Sequence, residues 1–330
     1  LRYHFCTYFD SNYLCQGVTL YRSLRRQNID FKLYVACLDE RAFDTIARLQ
    51  RDCPELEPVK LVDIEAFDPE FHAVKSNRSR IEYYFTLSPV LPLFLFNRYP
   101  EIDILGYLDA DLLFYSSPQP IYYELGQNSL LIIEHRFPEC IRYREKFGRF
   151  NVQCQLYRND SFALACLRDW RERCIEWCSD KFDGERFADQ KYLDQWPEKF
   201  KKLVILQNTA AGLAPWNWYN YTLKIMPDNT MTVDGTPLIF YHFQGFKRLN
   251  SWILNHGLGH YGAVMPSNLL QWFYAGYMRE LNLTYQWLNN ELKMPDISLP
   301  WRNNRTGFSK FRAILSGIKH RGLMWYRGNG

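Results

Sequence analysis

The sequence predicts an α/β protein: a mostly parallel, doubly wound sheet with a helical C-terminal extension. Three observations predict it. The first sixty residues alternate strand-like and helix-like periodicity in a β-α-β-α-β order, which favours a parallel sheet with crossover helices. The apolar, β-forming run ILGYLDADLLFYSSP, at 104–118, ends abruptly in Asp109-Ala110-Asp111. Residues 267–292 read as helical, with many aromatics.

Each element follows from local pattern. Tyr3–Phe9 reads as the first strand, and Asp10-Ser11-Asn12 as the turn and cap that open a helix. Over 13–27 the helical period places Leu14, Val18, Tyr21 and Leu24 on one face. A second strand is expected at 32–38, a second helix at 40–53 and a short third strand at 59–64. The stretch 81–99 is expected to be helical, with Pro89 and Pro92 kinking it or beginning a new turn, because proline removes a helix donor. After the Asp109 strand, Ser116-Ser117-Pro118 closes the element. Strands follow at 130–134 and 150–158, then an amphipathic helix at 160–179 and later strands at 204–206 and 238–242. No linker is rich enough in Gly, Pro or Ser to mark a clean boundary. The expected organisation is a main domain over 1–260 and a helical, aromatic-rich extension over 261–330.

Composition narrows the class. In 330 residues, 47% of them hydrophobic, there is material for a sizeable core. Aromatics reach 17%; most will pack, but their faces also suit sugar rings and bases. The formal net charge is +4, yet residues 301–330 hold seven Arg or Lys and no Asp or Glu. The body is therefore close to neutral and the tail basic, which argues against a nucleic-acid binder with a basic stripe across its fold. Nine cysteines are scattered, and Cys174 and Cys178 lack a second pair to complete a zinc set. Buried free thiols in a reducing cytosol are the simpler expectation. Five N-x-S/T triplets begin at Asn77, Asn159, Asn220, Asn282 and Asn304; such triplets arise often by chance. No signal peptide is visible, and the longest apolar run, 89–96, is too short to span a bilayer. The expected location is the cytoplasm. In the tail, Phe308, Phe311, Ile314, Leu315 and Ile318 share a helical face flanked by Lys310, Arg312 and Lys319. Such a helix suits peripheral contact at the inner face of an anionic membrane; the plainer alternative is a helix packed on its own domain.

Active sites in open α/β sheets lie beyond the carboxyl ends of strands. Four polar clusters fall at such strand ends or just after a helix: Asp10 to Tyr13, Asp109 to Asp111, Asp189-Gln190, and His242 to Lys247. Two carboxylates one residue apart at the exit of a buried strand are costly unless compensated. A hard divalent cation is the usual compensation, and it keeps open positions for phosphate. The alternative is a carboxylate pair that only caps a loop. A cation bridging a protein edge to a diphosphate points to a nucleotide-activated substrate.

In this order, over roughly residues 3–250, the segments YFDSNYLCQGVTLYRSL, YLDADLLFYSSP, GRFNVQCQLYRND, FADQKYLDQWP and YHFQGFKRLN resemble the GT-A fold nucleotide-sugar glycosyltransferases. The similarity is greatest to glycosyltransferase family 8, which includes glycogenin and bacterial lipooligosaccharide galactosyltransferases. A lone DxD is a weak signal; DxD, Asp-Gln and His-x-x-Gly-x-Lys in series is a specific one. The resemblance implies a metal-dependent hexosyltransferase that uses a UDP-sugar donor and Mn²⁺ or Mg²⁺, with retention of anomeric configuration. It implies Asp109, Asp111 and His242 as metal ligands, and Asp189 and Gln190 as the catalytic pair at the transferred sugar. It implies donor contacts from Thr7, Asp10, Tyr13, Arg80, Asp109, Ala110, Asn151, Gly245 and Lys247. Two departures stand out. No Lys or Arg occurs over 81–97, where the family carries a basic residue; Arg78 and Arg80 lie just ahead, and Thr86 or Ser88 could hydrogen-bond phosphate instead. Gln153 stands where the family usually has a small residue.

The acceptor is expected to be a hydroxyl of a glycan or lipid-linked glycan. Trp216, Trp218 and Tyr219 would form its platform, the alternative being a packed loop. Two rival classes remain. One is a non-catalytic carbohydrate-binding protein that kept the scaffold. The other is a sugar-nucleotide pyrophosphorylase, which needs a glycine-rich basic loop after its first strand; Thr7 to Tyr13 contains neither glycine nor lysine.

Overall fold

The structure is a computed structural model that describes residues 2–249, 253–262, 264–290 and 322–325. The backbone builds two compact units and enters each more than once. One takes Leu1–Asp10, Asn28–Asp109 and Ser117–Asn208; the other takes Ser11–Gln27, Ala110–Ser116 and Thr209–Gly330.

The first unit holds a seven-stranded sheet. Its spatial order is Leu56–Lys60, Phe31–Cys37, Tyr3–Phe9, Ile104–Leu108, Phe150–Arg158, Leu130–Glu134 and Leu203–Ile205. All neighbours run parallel except Phe150–Arg158, which is antiparallel to both of its partners. The predicted strands at 3–9, 130–134 and 150–158 are found with those bounds. The third strand differs. It occupies Leu56–Lys60, and a helix, Leu61–Phe67, takes most of the residues expected to be extended. Pro58 explains the displacement. It reads as a strand breaker in sequence, but this strand is the sheet edge, where a missing amide donor need not cost a ladder bond.

Helices cover the sheet because their apolar faces need burial. Ser79 opens the helix Arg80–Arg98 with a capping box: its Oγ accepts from Glu82 N, and its own N–H donates to Glu82 Oε2 at 2.8 Å. Asp160 caps Ser161–Glu176 by accepting from Phe162 N and Ala163 N at 2.9 and 3.0 Å. The helix Arg80–Arg98 continues through Pro89 and Pro92 rather than restarting. Burial of Leu87, Val90, Leu91 and Leu95 offsets the lost helix bonds, at roughly 1.5–3 kcal/mol per side chain. These residues join Cys166, Leu167 and Trp170 of Ser161–Glu176 in one core.

In the second unit, Leu112–Phe114 pairs antiparallel with Phe240–His242. The helix Leu14–Arg25 packs beside Gly276–Asn290, where Cys15 Sγ donates to Leu281 O at 3.3 Å and Arg22 Nη1 to Thr284 Oγ1 at 3.0 Å. The expected C-terminal helix is present as Ser267–Leu270, a π-helical turn at Gln271–Ala275, and Gly276–Asn290. Its core is aromatic: Phe243 stacks on Tyr277 at 3.8 Å, and the Tyr241 and Tyr274 hydroxyls are 2.9 Å apart.

All nine cysteines are free thiols, and eight are buried. Among the described residues no helix is long and apolar enough to cross a membrane. The expected amphipathic tail, from Phe308 to Lys319, lies outside the described residues.

Candidate active site

The first unit gathers several of the expected residues at strand ends. The strand Tyr3–Phe9 delivers Asp10, which is buried and accepts Arg80 Nη1 in an ion pair at 3.7 Å. Arg80 itself is largely exposed on the first turn of its helix, so this ion pair is water-screened on one side. The Tyr84 hydroxyl is pushed up to about 12, first by burial and then by the Asp10 charge. Thr7 is fully buried on the same strand. Arg78 is committed elsewhere: its guanidinium donates to Ile175 O at 3.0 Å and satisfies a helix C-terminus. Thr86 turns its hydroxyl back to Glu82 O at 2.8 Å, and Ser88 Oγ lies 3.2 Å from the Tyr8 hydroxyl. Of the four expected diphosphate partners, Arg80 alone presents a long cationic side chain to solvent, while Thr86 and Ser88 are turned into the fold.

Asp109 follows the strand Ile104–Leu108. Its amide donates to Gln153 O at 2.9 Å, and its Oδ1 accepts from the Tyr107 hydroxyl at 2.9 Å. The antiparallel strand Phe150–Arg158 thus fixes the backbone from which this carboxylate projects. Asn151, on that strand, lies 2.9 Å from His135 Nε2 through its Nδ2 and accepts Gln153 N at 2.7 Å through its Oδ1. With Asn151 as donor, His135 carries its proton on Nδ1, facing Arg149 O at 3.3 Å.

Asp189 is 5% exposed. Ala188 before it holds φ at +48°, a left-handed conformation that alanine adopts only when its surroundings impose it. Trp170 Nε1 donates to Asp189 O at 2.8 Å and pins the turn from below. Burial pushes the Asp189 carboxyl up to about 7; a hydrogen bond from Ser88 opposes the rise and the Asp109 charge adds to it. Gln190 Nε2 donates to Phe147 O at 2.9 Å, beside Gly148, whose φ of +134° lets the chain turn against the Gln190 side chain.

Asp109 ends one stretch of the first unit and Ala110 opens a stretch of the second, so the Asp-Ala-Asp motif is a covalent crossing between them. The backbone alone keeps the two carboxylates two residues apart.

Within the second unit, strand pairing brings Asp111 and His242 together. Leu112 is the register partner of His242, and Phe243 N donates to Asp111 O at 3.0 Å. The result is a contact of 3.0 Å between His242 Nε2 and Asp111 Oδ1, with His242 only 3% exposed. With a proton on Nε2 this is a hydrogen bond. With Nε2 bare, two acceptors face each other and a cation is what reconciles them. Imidazole and carboxylate together fit Mn²⁺ better than Mg²⁺, which prefers oxygen alone. Trp216 sets its edge against the His242 ring, with centroids 5.4 Å apart, and Tyr261 packs on Trp216 at 5.6 Å. Gly245 and Gly257 both hold φ at +76°, and a Cβ on Gly257 would sit 2.9 Å from Gln244 O. This close backbone approach leads into Lys247, which is exposed on a short strand paired with Ile253–Asn255. Tyr13 is half exposed at the start of Leu14–Arg25 rather than turned into the core.

At the expected acceptor platform the loop is packed. Trp216 is fully buried and Trp218 nearly so; Tyr219 is half-buried. Asn217 is the reason: its Oδ1 accepts Ala214 N at 2.9 Å and its Nδ2 donates to Gly212 O at 3.0 Å, folding the loop onto itself. Tyr8, Tyr107 and His135 join these residues without being among those expected. Alternation along the strand places Tyr107 on the side of Asp109, but Tyr8 and His135 carry no local signal.

The fold is that of the GT-A nucleotide-sugar glycosyltransferases, a mixed α/β sheet with helical cover. It resembles the galactosyltransferase LgtC solved with donor and acceptor sugar analogs, at a TM-score of 0.50 and 16% identity, over 82% of this chain and 100% of that one. It also resembles the apo form of the glycosyltransferase GlyE from Streptococcus pneumoniae TIGR4, at a TM-score of 0.51 and 14% identity, over 88% of this chain and 64% of that one. No protein-family model matches the chain. By sequence, the chain belongs to the family of the uncharacterized protein YfnD of Bacillus subtilis, with 31% identity over 300 residues, 90% of this chain and 93% of YfnD. The uncharacterized YfnF of the same organism is 28% identical over 251 residues, 74% of this chain and 81% of YfnF.

Proposed function

We propose that the protein is a metal-dependent glycosyltransferase that moves a hexose from a UDP-sugar to a hydroxyl of a glycan or lipid-linked glycan, with retention. The observation that carries this reading is the Asp111–His242 contact, made by strand pairing immediately after a DxD motif in a GT-A fold. Asp109, Asp111 and His242 have the donor chemistry for a divalent cation. A bound Mn²⁺ would neutralise the diphosphate as the sugar–phosphate bond breaks. Arg80 and Lys247 supply further positive charge for phosphate oxygens, with Gly245 letting the backbone come close. Asp10 and Tyr13 hold the base and ribose, Tyr13 with a half-exposed ring that suits stacking. Asn151 hydrogen-bonds the transferred sugar, Asp189 accepts hydrogen bonds from its hydroxyls, and Gln190 stabilises positive charge at the anomeric carbon. LgtC, solved with donor and acceptor sugar analogs, shows that the fold supports galactosyl transfer elsewhere.

Calorimetry with UDP, GDP, CMP and dTDP, each with and without Mn²⁺, tests the reading. Mn²⁺-dependent tight binding of UDP alone is expected. Preference for another nucleotide would replace the donor assignment. A folded protein that binds none of them would favour a carbohydrate-binding protein on this scaffold.

A further inference from the structure

We propose that the Gln153 carboxamide reads the donor sugar: it hydrogen-bonds a hydroxyl or acylamino substituent of the hexose ring and so sets which hexose is accepted. The inference rests on the transferase reading above and deepens it.

Gln153 is fully buried, yet neither its Oε1 nor its Nε2 has a hydrogen-bond partner among the described residues. A buried polar atom left so pays its full desolvation penalty, and native proteins rarely tolerate that without a use. Its neighbours on the same strand each have at least one partner, Gln155 lacking one only at Nε2, whereas Gln153 lacks both. Asn151 meets His135, and Gln155 Oε1 accepts the Tyr157 hydroxyl. The backbone of Gln153 is equally committed: its N–H donates to Asn151 Oδ1 at 2.7 Å and its carbonyl accepts Asp109 N at 2.9 Å. The unsatisfied amide therefore grows from a rigid root, bonded directly to a residue of the DxD motif and to a residue assigned to the sugar. Rigid roots are what make a short polar side chain selective.

Complete burial does not argue against contact with a sugar. Asn151 and Asp189 are themselves 5% exposed. A carboxamide offers one acceptor and two donor hydrogens, which matches a hydroxyl or acylamino group that also does both. A site of this kind rejects an analogue lacking the group far more strongly than an apolar pocket rejects an extra methylene.

The test uses Gln153→Met, which keeps length and removes hydrogen bonding, with Gln153→Ala as the second variant. Binding of UDP, UDP-glucose, UDP-galactose and UDP-N-acetylglucosamine is measured with Mn²⁺, alongside the melting temperature of ligand-free protein. The expected result is UDP affinity unchanged within about twofold, while the advantage of the preferred sugar nucleotide falls by roughly tenfold or more and the ranking flattens. Ligand-free Gln153→Met should melt at or above the wild-type temperature, since an unpaired buried amide has been removed. A folded variant that keeps the wild-type ranking overturns the inference. So does a melting temperature that falls while ranking holds, which means that the amide holds a buried water, and so does failure of both variants to fold. If wild-type protein binds none of UDP, GDP, CMP and dTDP with Mn²⁺, the transferase reading fails and takes this inference with it; if it prefers another nucleotide, the comparison is made with that nucleotide's sugars. If wild type binds and ranks but the variants rank alike, only this inference fails.

Discussion

Asp189 carries the most perturbed carboxyl of the candidate site, and its stability effect has a definite sign. Its folded value, near 7, lies above the ordinary carboxylate range because burial penalises the charge. Between about pH 4 and pH 7 the folded state holds a proton that the unfolded state has lost, so stability falls as pH rises through that window. Asp189→Asn should remove this slope. In metal-free protein the variant's melting temperature should gain on wild type between pH 4 and pH 7, by up to about 4 kcal/mol in stability terms; parallel pH profiles would contradict the burial argument. Asp111→Asn tests the other charge. It keeps shape and a hydrogen bond to His242 but loses a ligand charge, so Mn²⁺-dependent UDP affinity should fall by on the order of 100-fold or more in calorimetry, with metal-independent binding little changed. At this scale the motifs were readable because they are short and ordered along the chain. The fates of Arg78, Thr86 and Ser88 were not readable, because each is decided by an acceptor that local spacing does not reveal.

At the scale of elements, two backbone devices shape the second unit's part of the site. Gly257 combines a left-handed φ with a backbone oxygen 2.9 Å from where a Cβ would stand. Gly257→Ala should cost about 1–3 kcal/mol in urea unfolding and should weaken UDP binding, because Gly245 and the approach to Lys247 would have to shift. Asn217→Ala removes both bonds that fold the loop over Trp216 and should cost about 2–3 kcal/mol, with an exposure-sensitive red shift in tryptophan emission. An unchanged spectrum would mean that packing alone holds Trp216 down. The strands at 3–9 and 130–134 follow from short apolar runs and that at 150–158 from apolar–polar alternation. The third strand was misplaced because Pro58 is a breaker in the interior of a sheet but tolerable at its edge, and a strand's rank in a sheet is not a local property.

For the whole molecule, ligand linkage gives a direct test. UDP with Mn²⁺ at 100 times its dissociation constant should stabilise the fold by about 2.7 kcal/mol, seen as a raised melting temperature, whereas UDP with EDTA should give little. Equal shifts in both conditions would contradict a metal-bridged diphosphate. The sequence by itself determined the α/β class, the order of the main strands and helices, and the DxD, Asp-Gln and His-x-x-Gly-x-Lys series. It could do so because periodicity, capping chemistry and motif spacing are properties of neighbouring residues. Tertiary structure alone decided that His242 meets Asp111 across a strand pair, that Trp216 packs against His242, and that Asp189 lies buried enough to hold a proton near neutrality. Those outcomes depend on which distant segment supplies the neighbour and excludes the water, and burial of that kind is a property of the packed chain.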